Sequence, residues 1–111
     1  MAFETTVTVA GDATYRLHPN LKKYTLGDTG FVQNPAGAYI LHRALEPEKA
    51  LANSIQLKIS VNKTLDGFKL STVSAGDVAR VDIFKRGDQA IIEMYRYFLA
   101  DLIEREVLQI V

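Results

Sequence analysis

Hydrophobic and polar residues alternate with a period of two over several short stretches of the chain, which predicts β-strands. The clearest stretch is 55–61, where four apolar residues alternate with three polar ones: Ile55, Leu57, Ile59 and Val61 against Gln56, Lys58 and Ser60. The alternation returns at 68–73 after the polar turn 62–67, so these segments predict a hairpin. Further strands are predicted at 3–9, 14–17, 38–45 and 78–84, and the first two form a hairpin about the turn 10–12.

The last part of the chain changes to a helical period. Apolar residues recur at spacings of three and four, which predicts an amphipathic helix over 89–108. The apolar stripe consists of Ile91, Ile92, Tyr95, Phe98, Leu99, Leu102 and Ile103. Asp88 is expected to cap the helix N-terminus, and Tyr97, on the polar side, is a candidate for an exposed partner-binding patch.

Several strands followed by one long helix indicate the α+β class. We therefore expect a single domain over 1–111, with two mostly antiparallel β-sheets, or one strongly curled sheet, packed against a single long C-terminal helix. Residues 18–37 do not fit this pattern, since they are rich in Gly, Pro, Asn and Asp. Within them, 22–26 is a brief strand or a helical turn. The segment is either functional or contains an unrecognised strand, such as 30–33, and the strand is favoured.

The charge balance of the chain excludes several classes of protein. Among the 111 residues, 13 Lys and Arg match 13 Asp and Glu, so no basic excess is available to bind nucleic acid. The sequence has no Cys, which excludes disulfides and thiolate chemistry. No apolar run is long enough for a membrane helix and no signal peptide is visible, so a cytoplasmic location is expected. Zero net charge also favours self-association, and a homo-oligomer is possible.

No catalytic or metal-binding pattern stands out. His18 and His42 are far apart and match no metal motif, so neither a metal nor another cofactor is expected. The glycines form no phosphate loop, and no Gly-x-Ser-x-Gly sequence is present. The serines of the chain lie in or beside predicted strands, where hydroxyl groups are ordinary. Asp12, Asp66 and Asp88 each occupy positions where turns or helix caps favour Asp.

The irregular segment contains the strongest candidate for a ligand site. Lys22, Lys23 and Tyr24, together with His18, can hold a carboxylate or phosphate through charge and hydrogen bonds. The alternative, which is favoured, is a solvated basic turn. Weaker anion-binding candidates are the pair Tyr39 and Arg43, which share one face of a predicted strand, and the pair Lys85 and Arg86.

Several short segments resemble a small family of lactic-acid-type bacteria, domain-of-unknown-function family 1831. These are residues 1–4, 22–26 with Asp28, 30–31, 62–63, 67–69 and 83–85. The resemblance implies two β-sheets packed against one long helix, and a loose link to amino-acid metabolism. It also implies a remote fold likeness to bacterial S-adenosylmethionine decarboxylases. Those enzymes cleave their own chain at a Glu-Ser bond, and this sequence contains no Glu-Ser dipeptide, so the likeness extends to the fold alone.

Two functional hypotheses follow. The first is a small cytoplasmic non-catalytic or accessory protein that binds a partner protein or a small anionic metabolite in amino-acid metabolism. The second is an enzyme or ligand sensor with an anionic-metabolite site in 18–37. The second hypothesis predicts a pocket lined by that segment.

Overall fold

The computed structural model describes residues 3–111, which form two antiparallel sheets and a long C-terminal helix, as expected for the α+β class. The strands in this part of the chain are β1 (Thr6–Thr8), β2 (Thr14–Leu17), β3 (Val32–Gln33), β4 (Tyr39–Ala44), β5 (Gln56–Val61), β6 (Phe68–Val73) and β7 (Leu108–Ile110). The helices are α1 (Lys23–Asp28), α2 (Ile83–Arg86) and α3 (Gln89–Glu104). Single 3₁₀ turns occur at Leu51–Asn53 and Ala75–Asp77.

The four-stranded sheet has the order β3-β4-β5-β6 and contains the predicted hairpin 55–73. Its core face carries Leu57, Ile59 and Val61 of β5, which are fully buried. Because strand side chains alternate between faces, Lys58 and Ser60 project from the opposite side of the sheet. The sequence alternation therefore predicted both the strand and the side that faces the core.

The three-stranded sheet has the order β1-β2-β7. Its first strand is shorter than the predicted 3–9, since Glu4 exchanges two backbone hydrogen bonds with Phe68 of β6, with N···O distances of 3.0 and 2.9 Å. The chain thus runs from the edge of the four-stranded sheet at Glu4 into the three-stranded sheet at β1. The predicted hairpin of the first two strands is confirmed, with Thr8 opposite Thr14.

Helix α3 begins as predicted, with the Asp88 carboxylate accepting a hydrogen bond from the Ile91 N–H, but it ends at Glu104 rather than 108. Glu106 adopts a left-handed conformation with φ of 62°, and Val107 N–H donates to the Leu102 carbonyl at 2.9 Å. This closing turn is a Schellman motif. It releases the chain so that β7 can pair with β2, and the predicted helix over 105–108 was therefore wrong.

The predicted strand 78–84 was also wrong. Only Arg80 makes a bridge to Val73 in this stretch, and Ile83–Arg86 is the helix α2. The Asp82 carboxylate caps this helix by accepting hydrogen bonds from the Phe84 and Lys85 N–H groups, at 3.1 and 3.0 Å. A local capping interaction thus overrides the short apolar alternation.

Residues 18–37 contain more structure than their composition indicated. Residues 23–26 belong to helix α1 and Lys22 is its N-cap, so the helical alternative was correct. The favoured extra strand exists as β3, which is shorter than 30–33. A Cβ atom at Gly30 would collide with the guanidinium of Arg43, so this glycine, with φ of 101°, makes room for that side chain.

Both sheets and α3 contribute to one hydrophobic core. Fully buried members include Leu57 of the four-stranded sheet, Leu108 of the three-stranded sheet and Tyr95 of α3. The placement of Tyr95 in the core agrees with the helical periodicity. Tyr97 lies on the exposed side of α3 with its ring edge against Phe98, and its role in partner binding stays a prediction.

The loop between β4 and β5 is held by a carboxylate. Glu46 accepts a hydrogen bond from the Ile55 N–H at 2.9 Å and pairs with the Lys49 ammonium at 3.0 Å. The backbone hydrogen bond, followed by the bond from Lys49, lowers the pKa of Glu46 below its ordinary value of 4.5. Ser54 closes the loop from the other side by accepting from the Glu46 N–H.

The lowered pKa of Glu46 predicts a pH-dependent contribution to stability. Below pH 4.5 the unfolded chain binds this proton more readily than the folded chain, so the contribution is present above that pH and is lost as the pH falls through the folded pKa. Between pH 6 and pH 3 the free energy of unfolding should therefore decrease in both proteins. The decrease should be about 0.5 kcal/mol smaller in Glu46→Gln than in the parent protein. Urea unfolding across that range measures this.

The matched control is Glu48→Gln, since Glu48 makes no hydrogen bond or ion pair with any residue of 3–111. This variant should follow the parent protein across the range. Equal acid sensitivity of Glu46→Gln and Glu48→Gln would contradict the assignment.

Candidate functional site

A cavity of about 640 Å³ lies on the face of the four-stranded sheet that points away from the core. Its floor consists of Lys58 and Ser60 from β5 and of Lys69 and Ser71 from β6, and we call it the Lys–Ser cavity. The N-terminal segment with β1 lines one side, and residues 77–80 line another. Its volume lies in the range of small-molecule sites, roughly 300–1,000 Å³.

The sheet register brings the floor residues together. Lys58 lies directly opposite Ser71, and Ser60 lies directly opposite Lys69. Residues paired in this way on one face have Cβ atoms roughly 4.5–5.5 Å apart. Two ammonium groups and two hydroxyl groups therefore alternate around one small area of the sheet.

Most of the floor groups are free to bind a ligand. Within residues 3–111, the hydroxyl groups of Ser60 and Ser71 have no hydrogen-bond partner, and the Lys69 ammonium has no carboxylate partner. The Lys69 ammonium lies 4.5 Å from the centre of the Phe3 ring. Lys58 differs, because it forms an ion pair with Asp77 on the cavity wall. The free donors are suited to a carboxylate or another small oxyanion.

Acidic groups also line this cavity. Glu4 and Asp77 face three basic residues, Lys58, Lys69 and Arg80, so the lining is mixed with a small basic excess. The Glu4 carboxylate makes no hydrogen bond or ion pair with the described residues, which leaves it available to an ammonium group. The arrangement can therefore bind a molecule that carries both charges.

A second cavity of about 310 Å³ adjoins the first and shares Thr8, Leu70, Ser71 and Arg80 with it. Most of its other lining side chains are apolar, so we call it the apolar cavity. They are Val9, Ala10, Val81, Ile83, Phe84 and the ring of Tyr95.

Below the apolar cavity, Asp12 links the β1–β2 turn to α3. Its carboxylate is 7% exposed and accepts hydrogen bonds from the hydroxyls of Tyr15 and Tyr95, at 2.5 and 2.9 Å. Arg96 donates to the other carboxylate oxygen at 3.1 Å. Burial, followed by the hydrogen bond to Asp12, raises the pKa of both tyrosines above 10.0, so both phenols stay protonated. The cluster is therefore suited to holding the fold rather than to acid–base chemistry.

The turn that carries Asp12 is fitted closely to this cluster. Gly11 has φ of 84°, and a Cβ atom there would lie 2.9 Å from Cβ of Phe84. Phe84 in turn packs edge-on against the Tyr95 ring, with centroids 5.4 Å apart. The interpretation of Asp12 as a turn residue was correct, but its bonds to α3 were not foreseen.

The site residues predicted from sequence lie elsewhere in the fold. His18 is partly buried, with its Nε2 atom 3.7 Å from the Glu106 carboxylate and its Nδ1 atom accepting from the Asn20 N–H. Lys22, Lys23 and Tyr24 are exposed at the start of α1, and the Tyr24 side chain is 71% exposed. None of these four residues lines the Lys–Ser cavity or the apolar cavity.

Tyr39 and Arg43 lie on β4, four residues apart and therefore on one face. The Arg43 guanidinium donates to the carbonyls of Thr29 and His42, at 2.9 and 3.0 Å, and so ties the end of α1 to the sheet. Neither residue lines the two cavities. Their role as ligand-binding residues stays a prediction, and so does that of the group around Lys22.

The floor of the Lys–Ser cavity was missed, although the sequence contained a signal for it. The hairpin has the pattern Lys-x-Ser twice, at 58–60 and at 69–71, on the polar positions of both strands. In an antiparallel pair, two copies of one motif align head to tail, so each Lys faces a Ser. The predicted hairpin and its turn were sufficient to place these four residues on one face.

In the part of the chain that the structure describes, no three His, Asp or Glu side chains are grouped to hold a metal ion. Nor does any helix of that part combine the length and the apolar character that crossing a bilayer requires.

These observations define an α+β protein of two antiparallel sheets with an open polar cavity on the outer face of the larger one. The chain belongs to the DUF1831 family, described as "Putative amino acid metabolism", whose profile matches residues 1–109. The crystal structure of a DUF1831 family protein from Lactobacillus plantarum, lp2179, has 43% sequence identity and a TM-score of 0.89 over 100% of this chain and 99% of that chain. The search among curated proteins found no match.

Proposed function

We propose that this protein binds a free amino acid or a closely related small carboxylate in the Lys–Ser cavity. The observation that carries the proposal is a set of donors on the cavity floor that have no hydrogen-bond or ion-pair partner among residues 3–111, namely the hydroxyls of Ser60 and Ser71 beside the Lys69 ammonium. A bound carboxylate would accept hydrogen bonds from these groups. Bonds of this kind to a charged group contribute about 1.5–3 kcal/mol each.

The opposite end of an amino acid also has a counterpart. The Glu4 carboxylate is on the cavity wall without a partner among the described residues, and it would accept from the ammonium of the ligand. A mixed lining of this kind favours a zwitterion over a simple anion. The description of the family as one of amino-acid metabolism supports the same class of ligand.

A binding role is better supported than a catalytic one. Nucleophilic catalysis requires a base hydrogen-bonded to the nucleophile, and neither Ser60 nor Ser71 has such a partner among residues 3–111. Among the described residues, no histidine lines the Lys–Ser cavity. We therefore propose a binding or accessory protein of amino-acid metabolism.

The proposal predicts that Lys69→Ala weakens ligand binding. The probes are the proteinogenic L-amino acids and their 2-oxo acid counterparts, first screened by thermal shift and then titrated by calorimetry. Loss of the ammonium should weaken the affinity for the best probe about 10- to 100-fold, since one charge-assisted hydrogen bond is removed.

The double variant Lys22→Ala and Lys23→Ala is the matched control, since it removes two exposed lysines from the site predicted in 18–37. It should bind the probe as the parent protein does. If the double variant loses binding and Lys69→Ala retains it, the site is around α1 and the proposal is wrong. Absence of binding by every probe would also contradict it.

A further inference from the structure

The apolar cavity adjoins the Lys–Ser cavity at the edge strand β6. Ser71 and Arg80 line both, so a molecule held on the polar floor reaches the boundary of the smaller space. A ligand whose one end binds at Ser71 would therefore place its other end against the walls of the apolar cavity.

Those walls offer few free polar groups, because most polar side chains there are already engaged inside the protein. Thr8 hydrogen-bonds Thr14 at 2.9 Å, and Thr72 donates to the Val81 carbonyl. The Oδ1 atom of Asp82 accepts two hydrogen bonds from the N-terminus of α2. The polar groups at the shared boundary, Ser71 and Arg80, belong to the end that meets the first cavity.

Most of the side-chain surface that remains for a ligand to contact is hydrocarbon. Val9, Val81 and Phe84 are partly exposed at the apolar cavity, and Ala10 is exposed. Partly exposed apolar side chains in a concave site gain free energy when an apolar group covers them. A charged or strongly polar group placed there would lose its hydration without compensation.

We infer that the ligand is an amphipathic amino acid or 2-oxo acid, whose carboxylate binds the Lys–Ser cavity and whose aromatic or branched aliphatic side chain occupies the apolar cavity. This inference rests on the proposed function, since it specifies the class of side chain carried by the same ligand. It distinguishes ligands such as phenylalanine or leucine from small or charged amino acids.

The test compares alanine and phenylalanine, which have the same charged end and differ in the phenyl group. In the parent protein, calorimetry should give an affinity for phenylalanine at least about 10-fold higher than for alanine, as expected from burial of the phenyl surface. Ala10→Phe should fill the apolar cavity from the β1–β2 turn. In that variant the affinity for phenylalanine should fall to that for alanine, because the space for the phenyl group is filled.

Ala10→Ser is the matched control, because it keeps a small side chain and should retain the preference for phenylalanine. Far-UV circular dichroism and the melting temperature of Ala10→Phe, compared with the parent protein, show that the variant is folded. Equal affinities in the parent protein, with binding still lost in Lys69→Ala, would overturn this inference and leave the proposed function standing. Retained preference in Ala10→Phe would overturn it as well. If neither amino acid binds and the leucine and 2-oxo acid probes also fail, both proposals are wrong.

Discussion

Replacement of Asp12 by alanine is expected to lower the free energy of unfolding by about 3 kcal/mol. The carboxylate accepts from two tyrosine hydroxyls and from the Arg96 guanidinium, and its side chain is almost completely buried. Alanine would leave the hydroxyls of Tyr15 and Tyr95 without their acceptor inside the protein. It would also remove the hydrogen bonds from Tyr95 and Arg96, which link the β1–β2 turn to α3.

Thermal unfolding measures this effect, and the melting temperature should fall by about 12 °C for a domain of this size. Asp101→Ala is the control, because Asp101 forms an exposed pair with Arg105 at 3.3 Å. An exposed pair of this kind contributes about 0.5 kcal/mol or less. Similar losses in the two variants would show that the Asp12 cluster does not hold the turn to the helix.

The second large effect is expected at Ile59. Its side chain is fully buried on the core face of β5, and truncation to alanine leaves a cavity in the shared core. Ile59→Ala should therefore lower the free energy of unfolding by about 3 kcal/mol, within the usual 2–5 kcal/mol for such changes. Urea unfolding, with the slope kept as a check on two-state behaviour, measures this.

Ser60→Ala is the matched control, since it changes the adjacent residue of the same strand. The Ser60 hydroxyl makes no hydrogen bond among residues 3–111, so its removal should change stability by less than about 0.5 kcal/mol. A small effect would mean that the outer face contributes little to the fold and is free to serve binding. A loss as large as that of Ile59→Ala would instead assign the outer face a structural role.

The predictions that succeeded depend on interactions between neighbours in sequence. The hairpin 55–73 follows from alternation on both sides of a polar turn, and both strands are present. Asp88 caps α3 because its carboxylate reaches the free N–H groups of the first helical turn. The α+β class follows from the order of the elements, strands first and a long helix afterwards.

The predictions that failed were decided by contacts outside the local pattern. Leu108 was included in the predicted helix, yet it belongs to β7, since β2 offers it a backbone partner. Val81 and Ile83 alternate as in a strand, yet Ile83 begins α2 because Asp82 caps that helix. In each case the local sequence was compatible with two structures, and a specific hydrogen-bonding partner selected one.

The candidate site, too, could be predicted from the sequence only in part. The repeated Lys-x-Ser pattern places four polar groups on one face of the hairpin, and this much can be read from the sequence. The walls of the cavity cannot be predicted in this way, since they come from Glu4 with β1 and from residues 77–80, which lie outside the hairpin. The basic pair Lys22 and Lys23 was a candidate site because nothing in the sequence distinguishes an exposed lysine from one in a cavity.

The sequence by itself determined the class of fold, the central hairpin with its core and outer faces, and the start of the long helix. These depend on side-chain periodicity and on capping, which act over a few residues. The tertiary structure alone decided which polar groups lie in a cavity, which acid is buried among tyrosines, and where the last helix gives way to a strand. Those outcomes depend on pairing between segments that are far apart in the chain. The free energy of such pairing cannot be predicted from a local sequence pattern.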